Sequence, residues 1–164
     1  MGLEPKFIEW PEKKVVGMGT NFISILSPDR NNAEKIPALW HAFVNRQNEI
    51  QNRTGEASYG LVAMLPAAAK KHRDELFYFA CCEVTAFGAL PAGMEQRTIA
   101  AGRYASFTHV GSLGRLGETM RYIYGVWLPQ SGIKLREVPH VELYDRRFAI
   151  NSETSEFDML LPIV

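Results

Sequence analysis

Apolar positions change their period along this chain, from two residues to between three and four and back again, and the changes mark its elements. Residues 15–25, VVGMGTNFISI, are rich in β-branched side chains and end at the turn-forming cluster SPDRNN, which predicts a strand. In AEKIPALWHAFVNRQNEI, residues 33–50, Ile36, Trp40, Phe43, Val44 and Gln47 recur at helical spacing. Pro37 is compatible with that helix only if the helix begins close to it. Two β-type runs follow, SYGLVAML (58–65) and ELFYFACCEV (75–84). They are parted by PAAAKKHRD, whose proline and charges suit a loop.

The second half repeats this order. RTIAAGRYASFTHV (97–110) reads as a single strand, and GSLGRLGETMRYIYGVWL (111–128) as a helix with Leu116, Met120, Ile123, Tyr124 and Trp127 on one stripe. HVELYDRRF and FDMLLPIV read as two closing strands. Ser112 is placed to cap the second helix, and Gly132 belongs to the turn that releases it. The expected architecture is therefore one α+β domain over 1–164, in approximate halves 1–90 and 91–164. Each half has an apolar helix stripe covered by one sheet face. Two such units side by side leave a groove at their junction, a frequent place for a small ligand.

One stretch departs from the ordinary alternation. In HVELYD (140–145), Val141, Leu143 and Asp145 fall on one face, while Glu142 and Tyr144 share the other. Two readings fit. Glu142 and Tyr144 lie on a solvent-facing strand, with Arg146 as a surface ion-pair partner. Alternatively, they face a pocket on that side of the sheet, where burial disfavours an ionised carboxylate.

Composition narrows the function classes. The chain has 164 residues, 46% hydrophobic and 22% charged, and its 18 basic residues balance 18 acidic ones, which argues against an extended nucleic-acid footprint. No basic start followed by an apolar run and no 18-residue apolar stretch is present, so a cytoplasmic protein without membrane association is expected. Cys81 and Cys82 are adjacent and point to opposite faces of a strand, which reads as two small core thiols in a reducing compartment. His41, His72, His109 and His140 lack metal-ligand spacing, so no metal is expected. GMG near residue 17 and GSLGRLG at 111–117 lack the context of a nucleotide loop, and no cofactor is expected. No serine or cysteine nucleophile motif is legible. KKHRD reads as a solvated loop, and the two arginines of YDRRF are free to meet a partner.

The run AGRYASFTHVGSLGRLGETMRYIYGVWLPQSG, followed by PHVELYDRRF and SEFDMLLPIV, resembles the GyrI-like small-molecule-binding family, with VVGMGTNF and IPALWHAF fitting the first half. That family includes the effector-binding domains of AraC-type and multidrug-responsive bacterial regulators. The resemblance implies tandem βαββ (SHS2-type) repeats related by a pseudo-twofold, an antiparallel sheet with two helices, and a ligand pocket between helices and sheet. It also implies an acidic residue in the penultimate strand that meets the positive charge of lipophilic ligands, which by motif position is Glu142. Tyr59, Trp127 and Tyr144 are carried over as aromatic wall candidates. No helix-turn-helix segment precedes the domain in this sequence, so a stand-alone binder without direct DNA binding is expected, with a protein partner or a homodimer left open. The leading expectation is sequestration or sensing of lipophilic, cationic, aromatic compounds. The alternatives are a hydrolase or other acid–base enzyme acting through Glu142, and an inhibitor of a macromolecular partner such as gyrase.

Overall fold

The computed structural model describes residues 3–164. Eight antiparallel strands form one sheet: β1 (Lys6–Trp10), β2 (Lys13–Ile23), β3 (Arg53–Met64), β4 (Glu75–Val84), β5 (Glu95–Ile99), β6 (Gly102–Val110), β7 (His140–Tyr144) and β8 (Glu156–Pro162). Helix α1 (Asn32–Val44) precedes β3. The second helical segment runs between β6 and β7 as α2 (Leu116–Tyr122), a π-helical turn over Ile123–Trp127, and α3 (Leu128–Ser131). The order of strands is β1-β6-β8-β7-β3-β4-β2-β5. Read outward from the β7/β3 seam, one side carries β8, β6 and β1, and the other β4, β2 and β5.

That order forces the sheet to curl. β1 and β2 stand six places apart, about 29 Å in a flat sheet at ~4.8 Å per strand. Yet only Pro11 and Glu12 join them, a link that spans at most about 11 Å. β5 and β6 are also six places apart, joined by Ala100 and Ala101 alone. Bringing both pairs of ends together wraps the sheet around an inner core of Val15, Tyr59, Leu61, Phe79, Cys81, Ile99, Tyr104, Val141 and Leu160. The helices cover the outer face. Phe43 and Leu39 of α1 pack with Tyr78, Val16 and Phe22, while Ile123 packs with Phe107, Phe157 and Met159. Both cysteines are free and buried, Cys81 in the inner core and Cys82 under α1.

Several sequence expectations are corrected by this geometry. Residues 97–110 form parts of two strands, because the Ala100–Ala101 link must carry the chain from one end of the sheet toward the other. Gly102 makes the turn possible: its φ is +128°, and the Arg136 guanidinium lies 3.0 Å from where a Cβ would stand. β1 was not anticipated, since its Lys-Phe-Ile-Glu-Trp run is short and half exposed. β3 begins at Arg53, ahead of the apolar run, through a bulged stretch in which Gly55 takes a φ of +73°. The stripe at 111–128 is helical but not uniformly α-helical, and the Ser112 side chain makes no capping bond. Gly132 ends the segment in the left-handed region, as expected.

Candidate functional site

The site grows from the seam where β3 and β7 pair. Glu142 stands directly across from Gly60 on β3 and from Met159 on β8, with its side chain on the outer, helix-bearing face. Gly60 is there for space. A Cβ at this position would overlap the Tyr78 hydroxyl and approach Glu142 Oε1 to 2.9 Å. With no side chain on Gly60, Tyr78 reaches across from β4 and donates a 2.6 Å hydrogen bond to Glu142 Oε1. Tyr144, two residues along β7, donates to the same oxygen at 3.0 Å. Trp40 of α1 closes the chain, its Nε1–H donating to Tyr78 Oη at 3.0 Å.

Aromatic rings complete the surround. Trp40 meets Tyr144 edge-on at 5.5 Å, and Tyr144 stacks on Phe157 at 4.8 Å. The second oxygen of the carboxylate is different. Among the described residues nothing donates to Oε2, and no lysine, arginine or histidine forms an ion pair with Glu142. Among the described residues no buried polar side-chain atom lacks a partner, so Oε2 must keep contact with open space. That space is a cavity of about 30 Å³ lined by Val62, Met120, Tyr124, His140 and Met159. Beyond it opens a groove of about 780 Å³, running past Leu26, Met64, Leu65, Leu76, Val138 and Pro139.

Burial controls the electrostatics here. Glu142 retains a little accessible surface, but protein packs densely around it, and loss of hydration pushes its carboxyl above the ordinary range. The two tyrosine donors stabilise the anion and pull the other way, without cancelling the effect. Tyr78 and Tyr144 are held well above the usual phenol range, first by burial and then by the neighbouring carboxylate charge. His140 is pushed down to about 4 by burial, so its ring is neutral near pH 7. A carboxylate served only by neutral donors, with one oxygen open to a cavity, is equipped to receive a cation or a proton.

The residues singled out by sequence separate in space. Glu142 and Tyr144 are together. Trp127 lies on the same side of the sheet but packs edge-on against Phe107 at 4.8 Å and lines neither cavity. Tyr59 is on the opposite face: it pairs with Leu143 and packs against Trp10 at 6.0 Å inside the curl. Strand parity therefore separates it from Glu142, since it is one residue from Gly60. Arg146 is exposed and makes no ion pair, whereas Arg147 binds Asp145 and Asp158 at 2.9 and 2.6 Å. Trp40, Tyr78, Tyr124 and His140 enter the site instead. Trp40 and Tyr124 were legible as helix-stripe aromatics, but only cross-strand register places Tyr78 beside Glu142.

Comparisons with known proteins identify the family and the fold. A model of the GyrI-like small-molecule-binding domain matches residues 3–164. The chain belongs to this family. It is 30% identical over 163 residues to the transcriptional regulator BrlR of Pseudomonas aeruginosa, covering 98% of this chain and 56% of that one. The chain thus spans about half the length of the curated relative it matches. Among solved structures, SAV2435 bound to tetraphenylphosphonium superposes with a TM-score of 0.72 at 14% identity, covering 99% of this chain and 94% of that one. The C-terminal domain of EcmrR gives a TM-score of 0.72 at 17% identity over 100% and 99% of the two chains. At these identities the structural likeness speaks to the GyrI-like fold, an antiparallel curled sheet with helices on one face. No helix among the described residues is long and apolar enough to cross a membrane.

Proposed function

We propose that this GyrI-like domain binds lipophilic cationic small molecules, with the groove taking the apolar body and Glu142 supplying the counter-charge. The reading rests on the bare Glu142 Oε2: a desolvated carboxylate with no cationic partner in the protein, facing a cavity that adjoins an apolar groove. A guest cation restores the balance that burial upsets, and the ring of Tyr124, which lines both spaces, adds cation–π attraction of roughly 0.5–2 kcal/mol. The SAV2435 complex with tetraphenylphosphonium supports the class of guest by analogy of fold. Whether binding serves sequestration or sensing depends on partners outside this chain's geometry.

The experiment is a titration followed by tryptophan fluorescence, because Trp40 touches both Tyr78 and Tyr144. Cationic probes, 4-phenylbenzylamine and tetraphenylphosphonium, are set against neutral 4-phenylbenzyl alcohol, in wild type and Glu142→Gln. At least one cation is expected to bind ten or more times tighter than the alcohol in wild type, with the advantage lost in the variant. Equal affinity for charged and neutral probes, unmoved by the substitution, would refute the charge pair.

A further inference from the structure

Two spaces meet behind the helix, and among the described residues four line both: Val62, Met120, Tyr124 and His140. Two of these are locked to each other. The Tyr124 hydroxyl and His140 Nδ1 are 2.6 Å apart, and the rings lie nearly parallel, 10° between planes with centroids at 5.8 Å. Burial keeps His140 neutral, and one hydrogen joins Nδ1 to the Tyr124 oxygen, its direction set by the imidazole tautomer. The pair forms much of the partition between the wide groove and the small chamber in front of Glu142.

Chamber size and carboxylate chemistry point the same way. About 30 Å³ holds two or so water-sized groups, room for an ammonium or methylammonium head but not for a trimethylammonium or tetraaryl phosphonium centre. Oε2 is also an acceptor with unused lone pairs, since both tyrosines donate to Oε1. An N–H donor completes it with a short charge-assisted hydrogen bond, whereas a quaternary cation has no hydrogen to offer. In either direction of its bond to His140 the Tyr124 oxygen keeps a lone pair for a second N–H. The groove beyond is apolar at Leu26, Met64, Leu65 and Leu76, with Met64 74% exposed at its rim.

Resting on the binding function proposed above, we infer that this domain is selective for lipophilic amines with a small N–H-bearing head, primary or singly methylated. The head enters the chamber at Glu142 and the hydrophobic body stays in the groove. Bulky quaternary and phosphonium cations are held outside the Tyr124–His140 partition, where they cannot touch Oε2.

The test is a methylation series on one body: 4-phenylbenzylamine, its N-methyl and N,N-dimethyl derivatives, and its N,N,N-trimethyl salt, titrated calorimetrically into wild-type protein. The primary amine is expected to bind at least 30-fold tighter than the trimethyl salt, with affinity falling at each methylation beyond the first. Glu142→Gln should collapse the series to within about threefold, with folding checked by circular dichroism. Tyr124→Ala should restore the trimethyl salt toward the primary amine's affinity while leaving binding dependent on Glu142. Equal or tighter binding of the trimethyl salt in wild type, still lost in Glu142→Gln, would overturn the size and donor selectivity yet leave a Glu142-dependent cation site standing. A series in which no member responds to Glu142→Gln would overturn both.

Discussion

The two faces of strand β7 carry the same chain into different surroundings. Val141 and Leu143 point into the curl, where Tyr59, Leu61 and Leu160 close over them. Glu142 and Tyr144 point outward, between α1 and the second helical segment, where Tyr144 packs among Trp40, Phe148 and Phe157 and Glu142 borders a small cavity. On the inner face Tyr104 Oη donates to Ala100 O at 2.6 Å, and the Tyr59 hydroxyl, which has no partner among the described residues, is a neutral group. The outer face keeps one carboxylate oxygen without a donor. Packing that is complete on one side of a strand and deliberately incomplete on the other separates a wall that holds the fold from a wall that meets a guest.

The sharpest way to break this contrast is to fill the gap that makes it. Gly60→Val places a branched side chain where the Tyr78 hydroxyl and Glu142 Oε1 already stand, on the middle strand of a continuous sheet. Neither strand can retreat, because β3 is paired on both sides, to β4 and β7. The expected cost is about 3 kcal/mol, or a fall in Tm of roughly 6–12 °C for a chain of this length. Binding of cationic probes should be lost with it. Thermal unfolding followed by circular dichroism checks the first. A variant as stable as wild type would show that the Tyr78–Glu142 contact is not maintained.

Removing the charge tests the outer face from the opposite side. Glu142 holds its proton more tightly folded than unfolded, so its contribution to stability is fully present below the unfolded value, about 4.3. That contribution is lost as the pH rises through the raised folded value. Above that raised value the ionised carboxylate is therefore a burden on the empty protein. Glu142→Gln should stabilise it by about 1 kcal/mol at pH 7.5, raising Tm by roughly 2–4 °C, and by little or nothing at pH 4. His140 works with the opposite sign: its contribution is present above about 6.5 and lost as pH falls toward about 4. The difference between wild type and Glu142→Gln across pH isolates the carboxylate, since the histidine is common to both. A variant less stable than wild type at pH 7.5 would mean that the two tyrosine hydrogen bonds outweigh desolvation.

Much of this contrast was legible in the chain. Alternation in HVELYD put Glu142 and Tyr144 on one face, and the order strand, helix, strand, strand in each half led to an α+β fold with a groove at its junction. The family resemblance singled out the same glutamate. What local pattern cannot supply is register. Tyr59 and Gly60 are neighbours, and which of them faces Glu142 depends on how β3 pairs with β7, about 80 residues downstream. Tyr78 is hidden for the same reason, in a run where Phe77, Tyr78 and Phe79 read alike until Tyr78 is set across from Val62. The end-to-end closure of the sheet left no local trace either. It follows from β1 and β5 each pairing with the other half of the chain, so 97–110 looked like one strand while containing parts of two. Tyr124 and Trp127 share a stripe at α-helical spacing. The π turn that contains both changes that spacing, and Tyr124 faces the chamber while Trp127 settles on Phe107.

The smallest expected effect is also the control for the rest. Tyr59→Phe removes a hydroxyl from the inner face, one residue away from Gly60. That hydroxyl makes no hydrogen bond among the described residues, and the ring keeps its edge-on contact with Trp10. Stability should change by less than about 0.5 kcal/mol, because no buried partner is left unsatisfied and no volume of the core is emptied. Affinity for 4-phenylbenzylamine should be unchanged within twofold, because a sheet lies between Tyr59 and Glu142. Adjacent substitutions with such unequal outcomes, Gly60→Val against Tyr59→Phe, would assign the guest to one side of the strand. Weaker amine binding in Tyr59→Phe at unchanged Tm would instead place the guest, or part of it, inside the curl.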